Sequence, residues 1–275
     1  MLRTRCWLTR SVLIVAALSG PLWSGGAKPG SAEAADFTAK QLTEAFHKAG
    51  VDHVPDYSNS DLSFLDLSNI DFKGATLYRA NMFGVDLTHS NLKGANLSGV
   101  MLDRAIVVQS DFSGANLSGA SLMRPSINIS LDRNRADAPK FAGANLRAIR
   151  LTAMMDGADF RGADLTDAKL GPHEPRADIS SMPGSLMRGS DFSGAILRRV
   201  DLMWAKLAFS KFVGADLRDA SLIGADLSRV DFSGADLTGA DLTDADLDGA
   251  ILAGVRGLDT VTGLATVKNL PVLAP

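Results

Sequence analysis

The chain of 275 residues has 28 Lys and Arg against 31 Asp and Glu, a formal net charge of −3, which excludes the basic excess of a direct nucleic-acid binder. Hydrophobic residues make up 46% of the chain, aromatic residues only 6%, and 26 residues are Gly. Many small and few large side chains predict a narrow repetitive interior and exclude a thick two-layer core.

The first 34 residues are organised like a secretory signal peptide. A segment with three arginines precedes an apolar run at 11–18, and residues 32–34 supply an A-x-A cleavage site. The run is too short to span a bilayer. We expect cleavage after Ala34, a periplasmic or secreted protein, and no membrane span after cleavage. The single cysteine, Cys6, lies in the signal peptide, so the mature chain has neither disulfides nor thiolate metal sites.

Residues 35–58 are predicted to form an N-terminal cap. Thr38 to Ala49 has the apolar spacing of a short amphipathic helix, with Leu42 and Phe46 on one face. Gly50 follows as the expected helix C-cap.

Between residues 59 and 254, a large apolar residue recurs at every fifth position, and a small residue, usually Ala, stands two positions before it. A period of five fits neither a 3.6-residue helix nor an alternating strand. Phe192, Phe212 and Phe232 lie 20 residues apart, which is four fives and places these rings in one column. The pattern predicts an all-β fold, a quadrilateral parallel β-helix of about nine coils.

Two interruptions, at 128–140 and 171–185, are predicted to be loops on this β-helix. Phe141 restarts the repeat after the first loop, and one residue is deleted between Leu151 and Met155. With this register every core Phe falls in the same column.

Strings such as Ala95–Gly99, Ala215–Asp219 and Ala235–Gly239 resemble the A(D/N)Lxx signature of pentapeptide-repeat proteins. This resemblance implies a right-handed β-helix with the central Leu or Phe and the Ala pointing inward. It also implies an alternative function, since gyrase-protecting members of the family are acidic rods that mimic DNA, some with two projecting loops.

The last segment, 255–275, is predicted to be a C-terminal cap or tail that covers the far end of the rod. Its apolar residues recur at every third position, namely Val255, Leu258, Val261, Leu264, Val267 and Leu270.

No catalytic constellation is recognisable, and we predict neither an enzyme nor a bound cofactor. Asp244, Asp246 and Asp248 imitate the start of an EF-hand loop, but Val255 stands where a bidentate Glu is required. Weak calcium binding by this acidic end, in a structural protein of the cell envelope, remains an alternative function.

One outer face is predicted to be apolar in the middle and acidic at its ends: Asp66, Asp86, Ile106, Ser126, Met154, Leu186, Lys206, Asp226 and Asp246. Both loops leave the rod beside this face, so either the loops cover it or a partner binds it. The candidate partner-binding residues are Ile106, Val108, Met154, Leu186, Trp204 and Phe209. We predict a noncatalytic exported scaffold that binds a protein or glycan there.

Overall fold

The computed structural model describes residues 35–49, 54–72, 74–127, 137–172 and 184–271. The predicted signal peptide, Gly50 and most of both predicted loops lie outside the described residues. The described elements are helix α1 (Ala39–Lys48), strands β1 (Ser121–Met123) and β2 (Arg150–Thr152), and a 3₁₀ helix (Leu258–Thr260). None of the described helices is long and apolar enough to cross a membrane.

Most of the chain forms a parallel β-helix held together by single-residue β-bridges. Asp61 pairs with Asn81, and Asn81 pairs with Met101, so a bridge between two uninterrupted coils joins residues 20 apart. The described bridges form four ladders. These are ladder I (Asp61 to Thr262), ladder II (Asp66 to Ser126 and Met154 to Lys268), ladder III (Asp71 to Ile251) and ladder IV (Asp56 to Arg256). Among the described residues, only β1 and β2 pair over three residues, with Leu122 opposite Leu151.

The ladders continue past both interruptions. Asp111 pairs with Lys140 across the first, and Met154 pairs with Leu186 across the second. The phenylalanine column predicted from the sequence is present, and its stacked ring centroids are 4.7–5.3 Å apart: Phe112, Phe141, Phe160, Phe192, Phe212 and Phe232. The predicted register is therefore that of the fold.

Each backbone N–H group of a regular repeat has a hydrogen-bond acceptor, as the repeat around Leu217 illustrates. The N–H groups of Asp216, Leu217, Asp219 and Ala220 donate to backbone carbonyls at 2.8–3.0 Å. The fifth N–H, of Arg218, donates to the Asp216 side chain at 3.3 Å. We call this fifth contact the Asx bond. It explains why Asp or Asn precedes the central Leu, since only a side-chain oxygen of that length reaches the N–H two residues on.

The interior is a stack of inward Leu, Phe and Ala side chains. Leu197 and Leu217 are fully buried and Leu237 almost so. Each coil covers the apolar side chains of the next, so the core is continuous along the rod.

The N-terminal end is covered by α1. Thr38 caps this helix in a capping box with Gln41, and Leu42 and Phe46 are buried against the first coil. The Phe46 ring lies 4.9 Å from Phe72 at the top of the phenylalanine column. The predicted helix is therefore present, and it closes the apolar end of the stack.

At the other end, residues 255–271 continue the ladders. Arg256, Thr262 and Lys268 pair with Asp236, Asp241 and Asp246. The apolar residues of this last coil are only partly buried, because no described coil lies beyond them: Leu252, Val255, Leu258, Val261, Leu264 and Val267.

Candidate functional site

The Asx bond is lost over one continuous part of the rod. Ladder I has Met101, Ser121, Arg150 and Lys169 on four successive rungs, and ladder II has Ile106, Ser126, Met154, Leu186 and Lys206 at the same levels. None of these nine residues is Asp or Asn. On ladders III and IV such exceptions are isolated, as Lys211 is between Asp191 and Asp231. At four successive levels both ladders thus lack the Asx residue, whereas at the level of Lys206 ladder I keeps it as Asp201, which accepts from Met203 N at 3.0 Å. At Ser121 and Leu186 the carboxylate of a turn residue, Asp103 or Asp156, accepts from the N–H two residues on instead.

Apolar side chains take the place of the Asx residues there. Met101 is 46% exposed and Met154 53% exposed, while Ile106 and Leu186 are partly buried. The turns that join ladder I to ladder II add further partly buried apolar side chains. We call the whole set the apolar band: Phe83, Met101, Ile106, Met123, Met154, Leu186, Met203, Trp204 and Ile223.

Four of the six predicted site residues belong to this band. Met154 and Leu186 pair directly, and Ile106 occupies the same ladder. Trp204 lies in the turn between the ladders, where its ring lies over Gly224 of the next coil. Phe209, although 54% exposed, lies in the turn beyond ladder II, where its ring faces the Arg229 guanidinium at 5.5 Å. The structure therefore does not bring Phe209 into the band.

Val108 was predicted to be an outward residue of the site, and this is wrong, because its side chain is completely buried. The chain returning from the first insertion crosses this corner. Asp137 accepts hydrogen bonds from the backbone N–H and the side-chain amide of Gln109, at 2.8 and 3.0 Å, and Ala138 is buried. The end of the insertion thus covers the corner where Val108 lies.

The sequence-based prediction missed the apolar residues in the turns, among them Phe83, Met123 and Met203. A signal was available, because the residue after the ladder I core position is Ser, Asp, Thr or Gly in other coils. Methionine is flexible and polarizable, so a surface rich in it can adapt to the shape of a partner.

Cations surround the band. Arg104, Arg150, Lys169 and Arg188 are exposed and Lys206 is partly exposed, and none of them forms an ion pair with an acidic side chain in the described part of the chain. Nearby carboxylates bond elsewhere: Asp103 accepts from Ser121 Oγ at 2.6 Å and from Met123 N at 3.0 Å.

Ladder IV has the opposite arrangement. Arg198 Nε and Arg218 Nη2 both lie within hydrogen-bond distance of Asp216 Oδ2, at 2.6 and 2.9 Å. Hydrogen bonds from the Arg218 side chain, and to a smaller extent from the Arg198 side chain, lower the pKa of the Asp216 carboxyl to about 2. The negative charge of the Asp216 carboxylate on ladder IV is thus neutralised by arginines of the same protein.

Other kinds of site find no support in the described residues. No group of three or more His, Cys, Asp or Glu side chains there is arranged to hold a metal ion. Asp246, in the EF-hand-like string, accepts hydrogen bonds from Asp248 N and Asn269 Nδ2. Its carboxylate therefore serves the ladder.

Comparison with known proteins assigns the family. The pentapeptide-repeats model matches in eight copies, over residues 58–94, 80–119, 139–171, 185–222, 201–239 and 215–254. The chain therefore belongs to the pentapeptide-repeat family, whose folds are right-handed β-helices. No curated protein sequence matches the chain.

Similar solved structures include pentapeptide-repeat proteins. HetL, involved in heterocyst differentiation regulation in the cyanobacterium Nostoc sp. strain PCC 7120, is 28% identical, covering 80% of this chain and 94% of its own, with a TM-score of 0.43. QnrB1, a plasmid-mediated fluoroquinolone resistance protein, is 20% identical over 77% of this chain and 90% of its own, with a TM-score of 0.39. A protein from the Arabidopsis thaliana thylakoid lumen is 26% identical over 46% and 76%, with a TM-score of 0.26.

Proposed function

We propose that this protein is an exported, noncatalytic scaffold that binds a protein or glycan partner through the apolar band. In this proposal the rod is a four-sided, right-handed β-helix of about nine coils. The observation that carries it is the loss of the Asx bond at nine neighbouring rung positions. Each such bond contributes about 0.5–1.5 kcal/mol. A local departure from the stabilising residue of a repeat is typical of a functional surface.

The residues that would form the mature N-terminus belong to the fold. Asp36 N donates to Asp61 O at 2.8 Å, and Asp36 Oδ2 accepts from Asp61 N at 2.6 Å. Residues just after the predicted cleavage site at Ala34 are thus bound to the first coil, and a chain that starts at Ala35 keeps this contact.

The absence of catalysis is supported by the electrostatics of the carboxylates. Every described carboxyl group with a resolved shift has its pKa lowered, as in Asp159, Asp164 and Asp216. A general acid or base that works at neutral pH needs a carboxyl pKa raised toward 7. Pentapeptide-repeat proteins are in general noncatalytic structural proteins.

The DNA-mimic alternative has weaker support. A DNA mimic needs a continuous acidic surface, whereas Arg161, Arg198 and Arg218 neutralise carboxylates along ladders III and IV. Cations and apolar groups occupy the middle of ladders I and II. Localisation of the protein separates the two functions, since a gyrase-protecting protein must stay in the cytoplasm.

Site-specific photocrosslinking in cells tests the binding surface. Benzoyl-phenylalanine at Met154 or Leu186 should give a discrete crosslinked species, because both positions lie in the band. The control is Ile196, which occupies a rung of ladder IV and is 37% exposed. Equal crosslinking at Ile196, or none at Met154 and Leu186, would contradict the proposal.

A further inference from the structure

Two like charges occupy neighbouring rungs in the middle of the band. Arg150 and Lys169 pair directly on ladder I, and both side chains are exposed. Neither forms an ion pair with a described acidic residue. Like charges directly opposite each other destabilise a sheet. Two Asp residues at such positions each form an Asx bond, which offsets their repulsion. Arg and Lys have no side-chain acceptor, so they form no Asx bond.

The cations occupy a limited length of the rod. They run from the coil of Arg104 to the coil of Lys206, which is four coil spacings or about 19 Å. Within this stretch Asp201, next to Lys169, is the one acidic rung of the two ladders among the described residues. Beyond both ends the same two ladders carry further acidic residues: Asp61, Asp66 and Asp86 on one side, and Asp226, Asp241 and Asp246 on the other. A long polyanion or a flat anionic membrane would meet these acidic ends and be repelled.

We propose that the apolar band, with its surrounding cations, binds a short acidic and apolar polypeptide segment of a partner protein. This inference rests on the proposed function and specifies the partner's chemistry. About 19 Å accommodates six extended residues or roughly 13 residues of α-helix. Carboxylates of such a segment would neutralise Arg150, Lys169 and Lys206, while its apolar side chains cover Met101, Met154 and Leu186. Arg104, which lies 5.7 Å from the Phe83 ring centroid, adds a cation at the edge of the band.

Fluorescence anisotropy tests the inference with defined probes. The probe is a labelled amphipathic peptide of about 14 residues that carries Glu and Leu, and its counterparts carry Gln or Lys in place of Glu. The protein is the processed chain, and its variant is Arg150→Gln/Lys169→Gln. The matched control is Lys140→Gln/Lys211→Gln, which removes two rung cations from ladder III.

The Glu peptide should bind more tightly than the Gln peptide, and the Lys peptide should not bind. Loss of two charge-assisted contacts should raise the Kd of the Glu peptide by about tenfold or more in the Arg150/Lys169 variant. The Lys140/Lys211 control should leave the Kd within about twofold. Circular dichroism checks that both variants remain folded.

Three results would overturn the inference: no binding of the Glu peptide at millimolar concentration, equal binding of the Glu and Gln peptides, or an unchanged Kd in the Arg150/Lys169 variant. Tighter binding of duplex DNA or of phosphatidylglycerol vesicles than of the Glu peptide would also overturn it. If photocrosslinks at Met154 persist while the peptides fail, the binding surface stands and only the acidic partner is rejected.

Discussion

The indole ring of Trp204 lies over Gly224, one coil further along the rod, at a distance that leaves no room for a Cβ on this glycine. Trp204 itself has a left-handed φ of 57°. A bulky residue in this conformation costs about 1–3 kcal/mol, and packing on the glycine offsets part of that cost. Of the three tryptophans, only Trp204 lies after residue 34, so it reports on the band by fluorescence once the signal peptide is removed.

Substitution of Gly224 by Ala should displace the Trp204 ring. Gly224 and Gly234 have positive φ angles of 63° and 69°, so Ala at either position pays a similar backbone cost of about 1 kcal/mol. A Cβ on Gly234 meets no atom within 4 Å. We therefore expect a red-shifted Trp204 emission in Gly224→Ala and an unchanged spectrum in Gly234→Ala. Identical spectra would mean that the ring does not lie on Gly224.

Leu217→Ala should strongly destabilise the rod. Its side chain is fully buried between Leu197 and Leu237, and truncation there should lower the free energy of unfolding by about 2–5 kcal/mol. Truncation of the outward Lys211, which is exposed, should cost about 0.5 kcal/mol or less. Chemical denaturation of both variants measures the difference, and equal effects would refute the assignment of inward and outward positions.

Asp216→Asn should lower stability in a pH-dependent way. Asn keeps the Asx bond but loses the charge that pairs with Arg198 and Arg218, at a cost of about 1 kcal/mol at neutral pH. Because the folded-state pKa of Asp216 is lowered to about 2, its contribution is complete above pH 4 and is lost as pH falls toward 2. The wild-type advantage in unfolding free energy should therefore shrink over this interval. Asp231→Asn, which removes no arginine contact, serves as the control, and a gap that stays constant would contradict the account.

Processing of the N-terminus is a separate prediction. Mass spectrometry of the native protein should give an N-terminus at Ala35 or within a few residues of it, because residues 32–34 form the A-x-A site. A retained Met1 would reject export and favour a cytoplasmic function.

The fold was largely predictable because each repeat specifies its own side of the coil. The spacing of Phe141, Phe160 and Phe192 was enough to place the register across both interruptions, since rings at the same position of adjacent coils stack on one another. The Asx bond was not predicted, although Asp and Asn recur directly before the central Leu, at the position whose side chain accepts this bond.

The candidate site was predicted less completely, because its limits depend on contacts between segments distant in sequence. Val108 is buried beside the segment at Asp137, 29 residues further on, and no local pattern indicates this contact. Met123 and Met203 become neighbours of ladder II only once the direction of each turn is known.

The central claim is that Asx bonds were lost from ladders I and II in favour of binding, and restoring them tests it directly. Met154→Asn/Lys206→Asn restores two Asx residues on ladder II, one in the band and one beside it, and Ile196→Asn/Lys211→Asn restores one each on ladders IV and III. Each pair should gain about 1–3 kcal/mol in unfolding free energy and a correspondingly higher Tm. The decisive measurement is the photocrosslinking yield at Leu186 in both double variants. We predict that it is lost in Met154→Asn/Lys206→Asn and retained in Ile196→Asn/Lys211→Asn, whereas a yield retained in both would contradict the claim.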